Sequence, residues 1–459
     1  MQVLFEIGQI FMATFMLAFV MPIFWIVLYL VYAQYRRQAA TEEKLYGRVI
    51  NGVGRQMFLS IVLGAAGGLG ASAVLIFMGL SLEQIGLYFI WPVALLLLLV
   101  NPRYLCFSYA GGIVAFMVLF ARHVLEPLFP AIAGNIVIES LLRIHIPALL
   151  VLIGLLHLIE ALLIYFGGHW GSSPIYLKED GGEVIGAFSL QRFWPIPLVA
   201  LLVTVVAQTD IVGVSMPDWW PILQSTLQPA EGQSLQYMII PVAAGLGYAD
   251  MALSSTPRSR TVFSARWLAA YSVILLAVAV GSEYLPWLVL PGVLFAPVGH
   301  ELLIIYGKKK EESRPPRFRR PESGVPLMMV LPGTVADAAG LVENDLILKV
   351  NNEEVNDNGE LIRKIEESYF MVLLEGIREG KSFSHVLKKR SGYETEPGNP
   401  PWTAAGSYSS QNSLHRIAEL GLIPVPEPDS AVYLEIRKPD PLGRFRWLKE
   451  KLFKPGKKN

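Results

Sequence analysis

Between residues 10 and 306 the chain returns repeatedly to long apolar runs, at about 10–33, 57–79, 85–100, 104–120, 146–166, 194–212, 236–254, 267–283 and 286–306. A helix needs roughly 20 mainly apolar residues to cross a bilayer, and most of these runs approach that length. They constrain residues 1–306 to a polytopic α-helical membrane bundle of about seven to nine spans. The short runs at 85–100 and 104–120 fit a tight pair or a re-entrant element, which leaves the count open. The first run is too long for a signal-peptide core and no basic segment precedes it, so it reads as a permanent span. The charges divide the chain at the same place. Residues 1–306 hold 13 Lys/Arg and 16 Asp/Glu, whereas residues 307–459 hold 25 and 22. Soluble domains average about 25% charged residues, so the first part falls far below that norm and the second slightly above it. A soluble globular enzyme and a disordered chain are both excluded. The single cysteine, Cys106, excludes an intramolecular disulfide framework and a Cys-cluster metal site.

Basic residues near helix ends gather on the cytoplasmic side. Arg36, Arg37, Lys44, Arg48 and Arg55 follow the first run, and none precedes it. Alternation from there places Arg103, Lys178, Arg192, Arg258, Arg260, Arg266 and Lys308 to Lys310 on the same side, against Arg122 and Arg143 opposite. The expectation is an external N-terminus and a cytoplasmic C-terminal domain. The loop 213–235, with Trp219 and Trp220, carries no basic residue and reads as an external interfacial belt. Gly64, Gly68 and Ser72 recur every four residues, a spacing that lets another helix approach closely. That helix is expected within the same bundle rather than in a dimer partner.

Ionisable residues at bilayer depth are candidates for function. His157 and Glu160 share a helical face, Asp250 lies in the seventh run and His300-Glu301 in the last. Together they suit a metal site or a proton path; the preferred reading is pairing across helices. A zinc-protease HExxH helix needs a second imidazole one turn on, and Ile304 stands there instead. Gly70-Ala71-Ser72-Ala73 lacks the closing glycine of a serine-nucleophile elbow. No P-loop and no dinucleotide fingerprint occurs. The chain is therefore read as a non-enzyme, with no metal or cofactor expected; a transporter or membrane enzyme with a regulatory domain is the alternative.

Residues 307–322 form a basic juxtamembrane linker in which Lys308, Lys309, Lys310, Arg317, Arg319 and Arg320 would face anionic headgroups. Residues 323–436 then read as a small α+β domain. Val325 to Leu331 is a strand ended by Pro332-Gly333, Ala336 to Ala339 a short helix stopped by Gly340, and Leu346 to Val350 a second strand. Asn358 is placed as the cap of a helix whose Leu361, Ile362 and Ile365 form one apolar face. Further strands are expected at Phe370–Leu374 and His385–Leu387. This succession resembles a bacterial PDZ domain, through Pro332-Gly333-Thr334-Val335-Ala336, Ala339-Gly340-Leu341 and Asn344-Asp345-Leu346-Ile347, with Asn344 where that family usually has Gly. Such a domain adds a peptide as a strand at a sheet edge, its terminal carboxylate held by an apolar-Gly-apolar loop. No such loop precedes Val325; the match is Leu420-Gly421-Leu422-Ile423. A circular permutation explains that order and sets the groove between Leu420–Val425 and the helix 358–367. Alternatively, Leu420–Val425 is an ordinary core strand. The segment 391–413 reads as a flexible insert. The basic tail 437–459, with Arg444, Arg446 and Trp447, suits an anionic membrane surface better than nucleic acid.

A multi-span bundle followed by this domain resembles the MinJ family of cell-division topological determinants of Gram-positive rods. The resemblance rests on Gly186-Ala187-Phe188-Ser189-Leu190-Gln191-Arg192-Phe193-Trp194-Pro195, on the PDZ-like segment and on Glu419-Leu420-Gly421-Leu422. It implies an adaptor in the bacterial plasma membrane, enriched at septum and poles, that links a DivIVA-like scaffold to a MinD-like ATPase. No catalytic residues are implied.

Overall fold

The computed structural model describes residues 2–388 and 410–434, apart from 180, 211–215, 224, 369 and 432. Most of the insert 391–413 and the whole tail with Arg444, Arg446 and Trp447 lie outside the described residues.

The first apolar run is divided between α1 (Gln2–Ala18) and α2 (Pro22–Tyr46), which meet at a bend of 52°. Pro22 imposes the break, because the residue before a proline is driven out of helical conformation. There follow α3 (Val53–Met78), α4 (Leu82–Ile85), α5 (Leu87–Val100) and α6 (Phe107–Phe120). A short π-helical stretch continues α6 into α7 (Glu126–Leu128), before α8 (Ile136–Leu142) and α9 (Ile146–Gly167). Three strands come next: β1 (Ser173–Lys178), β2 (Val184–Ala207) and β3 (Gln233–Ala252). Helices α10 (Pro257–Tyr284) and α11 (Val289–Glu312) close the unit. Among the described residues, five helical segments are long and apolar enough to cross a membrane, or six if the bent pair counts as one.

The runs at 194–212 and 236–254 are not helices, contrary to the sequence expectation. They form most of a β2–β3 hairpin whose antiparallel register holds without a break from Phe188↔Ala252 to Ala207↔Gln233. Strands in globular proteins are usually five or six residues long, so this hairpin is exceptional. Two prolines two residues apart, Pro195 and Pro197, account for the difference. In a helix each removes a hydrogen bond and collides with the preceding turn, whereas at a strand edge the missing N–H costs nothing.

That edge is closed by α3 and, beyond it, by α4. An open sheet edge cannot face hydrocarbon, because each unsatisfied backbone group there costs several kcal/mol. Along β2 the edge donors are eliminated at Pro195 and Pro197, satisfied at Val199 by the Ser72 Oγ (2.8 Å), and satisfied at Val203 by the Glu83 carboxylate (3.2 Å). The carbonyl oxygens of Pro195 and Pro197 sit where a Cβ of Gly64 or Gly68 would be. Four helical residues rise about 6.0 Å and two strand residues about 6.6 Å, so the two periods stay in step along the contact. The small-residue stripe therefore receives a strand, not the helix expected of it.

The domain contains β4 (Val325–Val330), α12 (Val335–Ala338), β5 (Leu346–Val350), β6 (Glu353–Glu354) and α13 (Asn358–Glu367). It continues with β7 (Met371–Arg378), β8 (Lys381–Lys388), α14 (Ser410–Glu419) and β9 (Leu422–Pro424). The sheet runs β8-β7-β5-β4-β9 with antiparallel neighbours, and β6 pairs with β5. Asp357, not Asn358, caps α13, its side chain accepting from the Glu360 N–H at 2.6 Å. Asn344 has φ +69°, a conformation asparagine tolerates.

The ends of α2, α9, β3 and α11 and the starts of β1 and α10 gather at one end of the helical unit, where the domain sits. There Gln38 donates to the Gly171 carbonyl (2.9 Å), and Glu311 accepts from the N–H groups of Leu253, Ser254 and Ser255 at 2.8–2.9 Å. At the other end Trp220 Nε1 donates to the Ile76 carbonyl, 2.9 Å away. The loop with Trp219 and Trp220 thus lies far from the domain.

Candidate functional site

Two places bring together the residues singled out by the sequence: the β9 edge of the domain, and a polar cluster halfway along the helices.

At the domain edge, Leu420, Gly421, Leu422 and Ile423 do form a turn and a strand beside α13. Gly421 has φ +92°, and a Cβ there would collide with the Thr334 hydroxyl. The space between β9 and α13 is nevertheless filled. Leu361, Ile362, Ile365 and Leu422 are buried in one core with Ile417 of α14, and Ile423 is buried on the side facing the helical unit. The N–H groups of Leu420 and Gly421, which a carboxylate-binding loop would offer to a ligand, donate instead to the carbonyls of Ile417 (3.1 Å) and Ala418 (3.0 Å). Tyr176 of β1 donates its hydroxyl to the Pro424 carbonyl at 2.7 Å. The expected groove is thus occupied by α14 and bordered by β1, and these residues are core rather than open lining.

The expected membrane-surface residues separate into two sets. Lys308, Lys309 and Lys310 are in the last turns of α11, which extends to Glu312 where an extended linker was expected. Lys310 lies 4.0 Å from the centroid of the Phe263 ring. Arg317, Arg319 and Arg320 face protein instead. Arg317 pairs with Glu343 at 3.4 Å, and Arg319 with Glu179 (2.7 Å) and Glu183 (3.3 Å). Arg320 donates to Asn358 Oδ1 (2.9 Å) and to the carbonyls of Asn356 (2.9 Å) and Val425 (3.2 Å). Its burial lowers the guanidinium pKa, opposed by the charge of Glu427. Such contacts hold the domain on the helical unit. Further backbone bonds from Gly186 to Phe318 and from Val184 to Pro428, both 2.9 Å, complete the seam.

The polar cluster surrounds the turn between α5 and α6. Cys106 precedes α6, and its Sγ lies 3.1 Å from Nε2 of His157. His157 is the twelfth of 22 residues in α9 and His300 the twelfth of 24 in α11. The turn therefore lies level with the middle of both helices. The His157 and His300 ring centroids are 5.0 Å apart. Arg103 forms an ion pair with Glu301, which also accepts from the Tyr109 hydroxyl at 2.6 Å. Arg103 is thus at the turn, not in a loop on the domain's side. Tyr271 donates to the Ala296 carbonyl (2.7 Å) and meets Ser108 at 2.8 Å. Glu160 follows His157 by three residues on α9.

Asp250 does not join this cluster. Arg260 grips it with two 2.9 Å bonds, Ser264 donates at 3.0 Å and Tyr248 at 3.1 Å. Arg260 also bonds the Gly307 carbonyl (2.8 Å), so the knot ties β3, α10 and α11 together. Arg192, expected in a cytoplasmic loop, is fully buried in β2 and donates to Gln56 (2.8 Å) and Ser60 (3.3 Å). Cys106 was the member of the cluster that sequence reasoning passed over. Its partners lie 51 and 194 residues away in the chain, and no local spacing announces them.

No protein-family model matches the chain. It is 26% identical over 253 residues to the cell division topological determinant MinJ of Bacillus subtilis (strain 168), a match that covers 54% of this chain and 59% of that protein.

Proposed function

We propose that the protein is a non-enzymatic membrane adaptor of the bacterial division machinery. The observation that carries this reading is the 26% identity to a curated cell-division topological determinant over 253 residues. The five long apolar helices and the domain docked at one end support it. In this reading the end with Arg48, Arg258 and Lys308 faces the cytoplasm, and the PDZ-like domain recruits division or polarity proteins there. A DivIVA-like scaffold and a MinD-like ATPase are the proposed partners, and anionic lipid the neighbour of Lys308 and Lys309. A peptide that uses the β9 edge displaces α14 from it, because the loop N–H groups are already committed.

Fluorescently tagged full-length protein in dividing cells of its own host tests the reading. Enrichment at septa and poles is expected; a uniform membrane signal through division overturns it. The polar cluster of Cys106, His157 and His300 halfway along the helices favours a transporter as the second reading, since intramembrane ionisable residues mark ion paths. Replacing Glu160 and His300 with apolar residues separates the two: the adaptor keeps its localisation and its division phenotype, whereas a transporter loses function with its localisation intact.

A further inference from the structure

We propose that Cys106, His157 and His300 form a binding site for a zinc-class metal ion halfway through the helical unit. The thiol sulfur and the two imidazole nitrogens all lie within 4.8 Å of one another, although their residues come from the α5–α6 turn, α9 and α11. One thiolate and two imidazoles are the donor set that zinc takes up, with a fourth position left for water. Two details of the surroundings prepare the site. His157 Nδ1 bonds the Ile153 carbonyl at 2.7 Å, which commits its proton to that nitrogen and turns the Nε2 lone pair toward Cys106. Metal-bound histidines are oriented in this manner. His300 Nδ1 is enclosed and has no hydrogen-bond partner, so this ring is not committed to another group through that nitrogen.

Between Cys106 and His157 the fit needs little movement. In a tetrahedral site with ordinary zinc distances, sulfur and nitrogen ligands stand about 3.6 Å apart; here the Cys106–His157 separation is 3.1 Å. A swing of the Cys106 side chain by about half an ångström brings that pair to the spacing a zinc ion needs. Binding releases the thiol proton to solvent as the sulfur–metal bond forms. The Ser108 N–H at the start of α6 donates to Sγ at 3.4 Å. The inference concerns the helical unit and does not depend on the adaptor reading.

The test uses the full-length protein in detergent, stripped with a chelator and titrated with Co(II) as a spectroscopic stand-in. Equimolar binding is expected, with a near-ultraviolet sulfur-to-cobalt charge-transfer band that Zn(II) bleaches. Cys106→Ser abolishes the band. His157→Gln and His300→Gln each weaken binding by about tenfold or more, while His123→Ala, an exposed histidine elsewhere, leaves it unchanged. Absence of saturable binding, a band that survives Cys106→Ser, or equal loss with His123→Ala overturns the proposal. Because Cys106 is the only cysteine, its reaction with a membrane-permeant maleimide gives a test on the unaltered chain. Zn(II), but not Mg(II), slows that reaction if the site exists; no protection by Zn(II) also overturns the proposal.

Discussion

Gly64 and Gly68 have no substitute in this fold, because the carbonyls of Pro195 and Pro197 occupy the volume a side chain would need. Gly70 lies in the same helix, but nothing stands within 4 Å of its Cβ position. Gly68→Ala is expected to lower stability by about 1–3 kcal/mol through overpacking. Gly70→Ala leaves it unchanged or slightly raises it through helix propensity. Thermal unfolding of the two variants in detergent checks the contrast, and equal effects remove the close approach as its cause. The four-residue spacing made this stripe visible in the sequence; the nature of what packs on it was not. Small residues admit any backbone closely, helix or strand, so the stripe alone does not distinguish them. Likewise Asp250 was legible as an acid in an apolar run, but its partner Arg260 had been counted only among the basic residues of the cytoplasmic side.

The β2–β3 hairpin is the element that departs most from the sequence reading. Apolar runs of 19 residues satisfy a helix count and a strand count equally, and mean hydropathy does not distinguish them. The discriminating signals were Pro195 and Pro197, two residues apart inside one run, together with the β-branched Val199, Val203, Thr204, Val205 and Val206. By contrast, runs without internal proline pairs became α3 and α9 with boundaries close to those expected, and α10, which starts ten residues earlier than its run. In the domain, β5 spans Leu346–Val350 and β4 Val325–Val330, since short strands bounded by Pro-Gly and Asn-Asn turns are locally encoded. β2 is buried at residues 198–201 and 203 and its edge is closed, so the amides of residues 198–203 are expected to exchange hydrogen only on global unfolding. Ser72→Ala leaves the Val199 N–H without an acceptor, at a cost of about 1–3 kcal/mol. Hydrogen-exchange mass spectrometry should show faster exchange near Val199 in that variant. Unaltered protection there removes Ser72 from the edge.

On the scale of the whole molecule, the domain is seated on the helical unit and not suspended from a linker. Arg319 with Glu179 and Glu183, and Arg320 with the α13 start, are the seam that gives this seating. In a Cys106→Ser background, Arg319→Cys combined with Glu179→Cys is expected to cross-link within one chain when membranes are treated with a short thiol reagent. A failure to cross-link while both cysteines remain reactive refutes the seating. The closed edge of β2 has a further consequence, for the order of biosynthesis. Residues 53–78 leave the ribosome before residues 184–207, so the helix bearing Ser60, Gly64, Gly68 and Ser72 is in place before the strand that leans on it is made. A hairpin released first into lipid would have donors at Val199 and Val203 with nothing to receive them. The chain order therefore acts as a built-in chaperone: the wall is laid before what it must shelter.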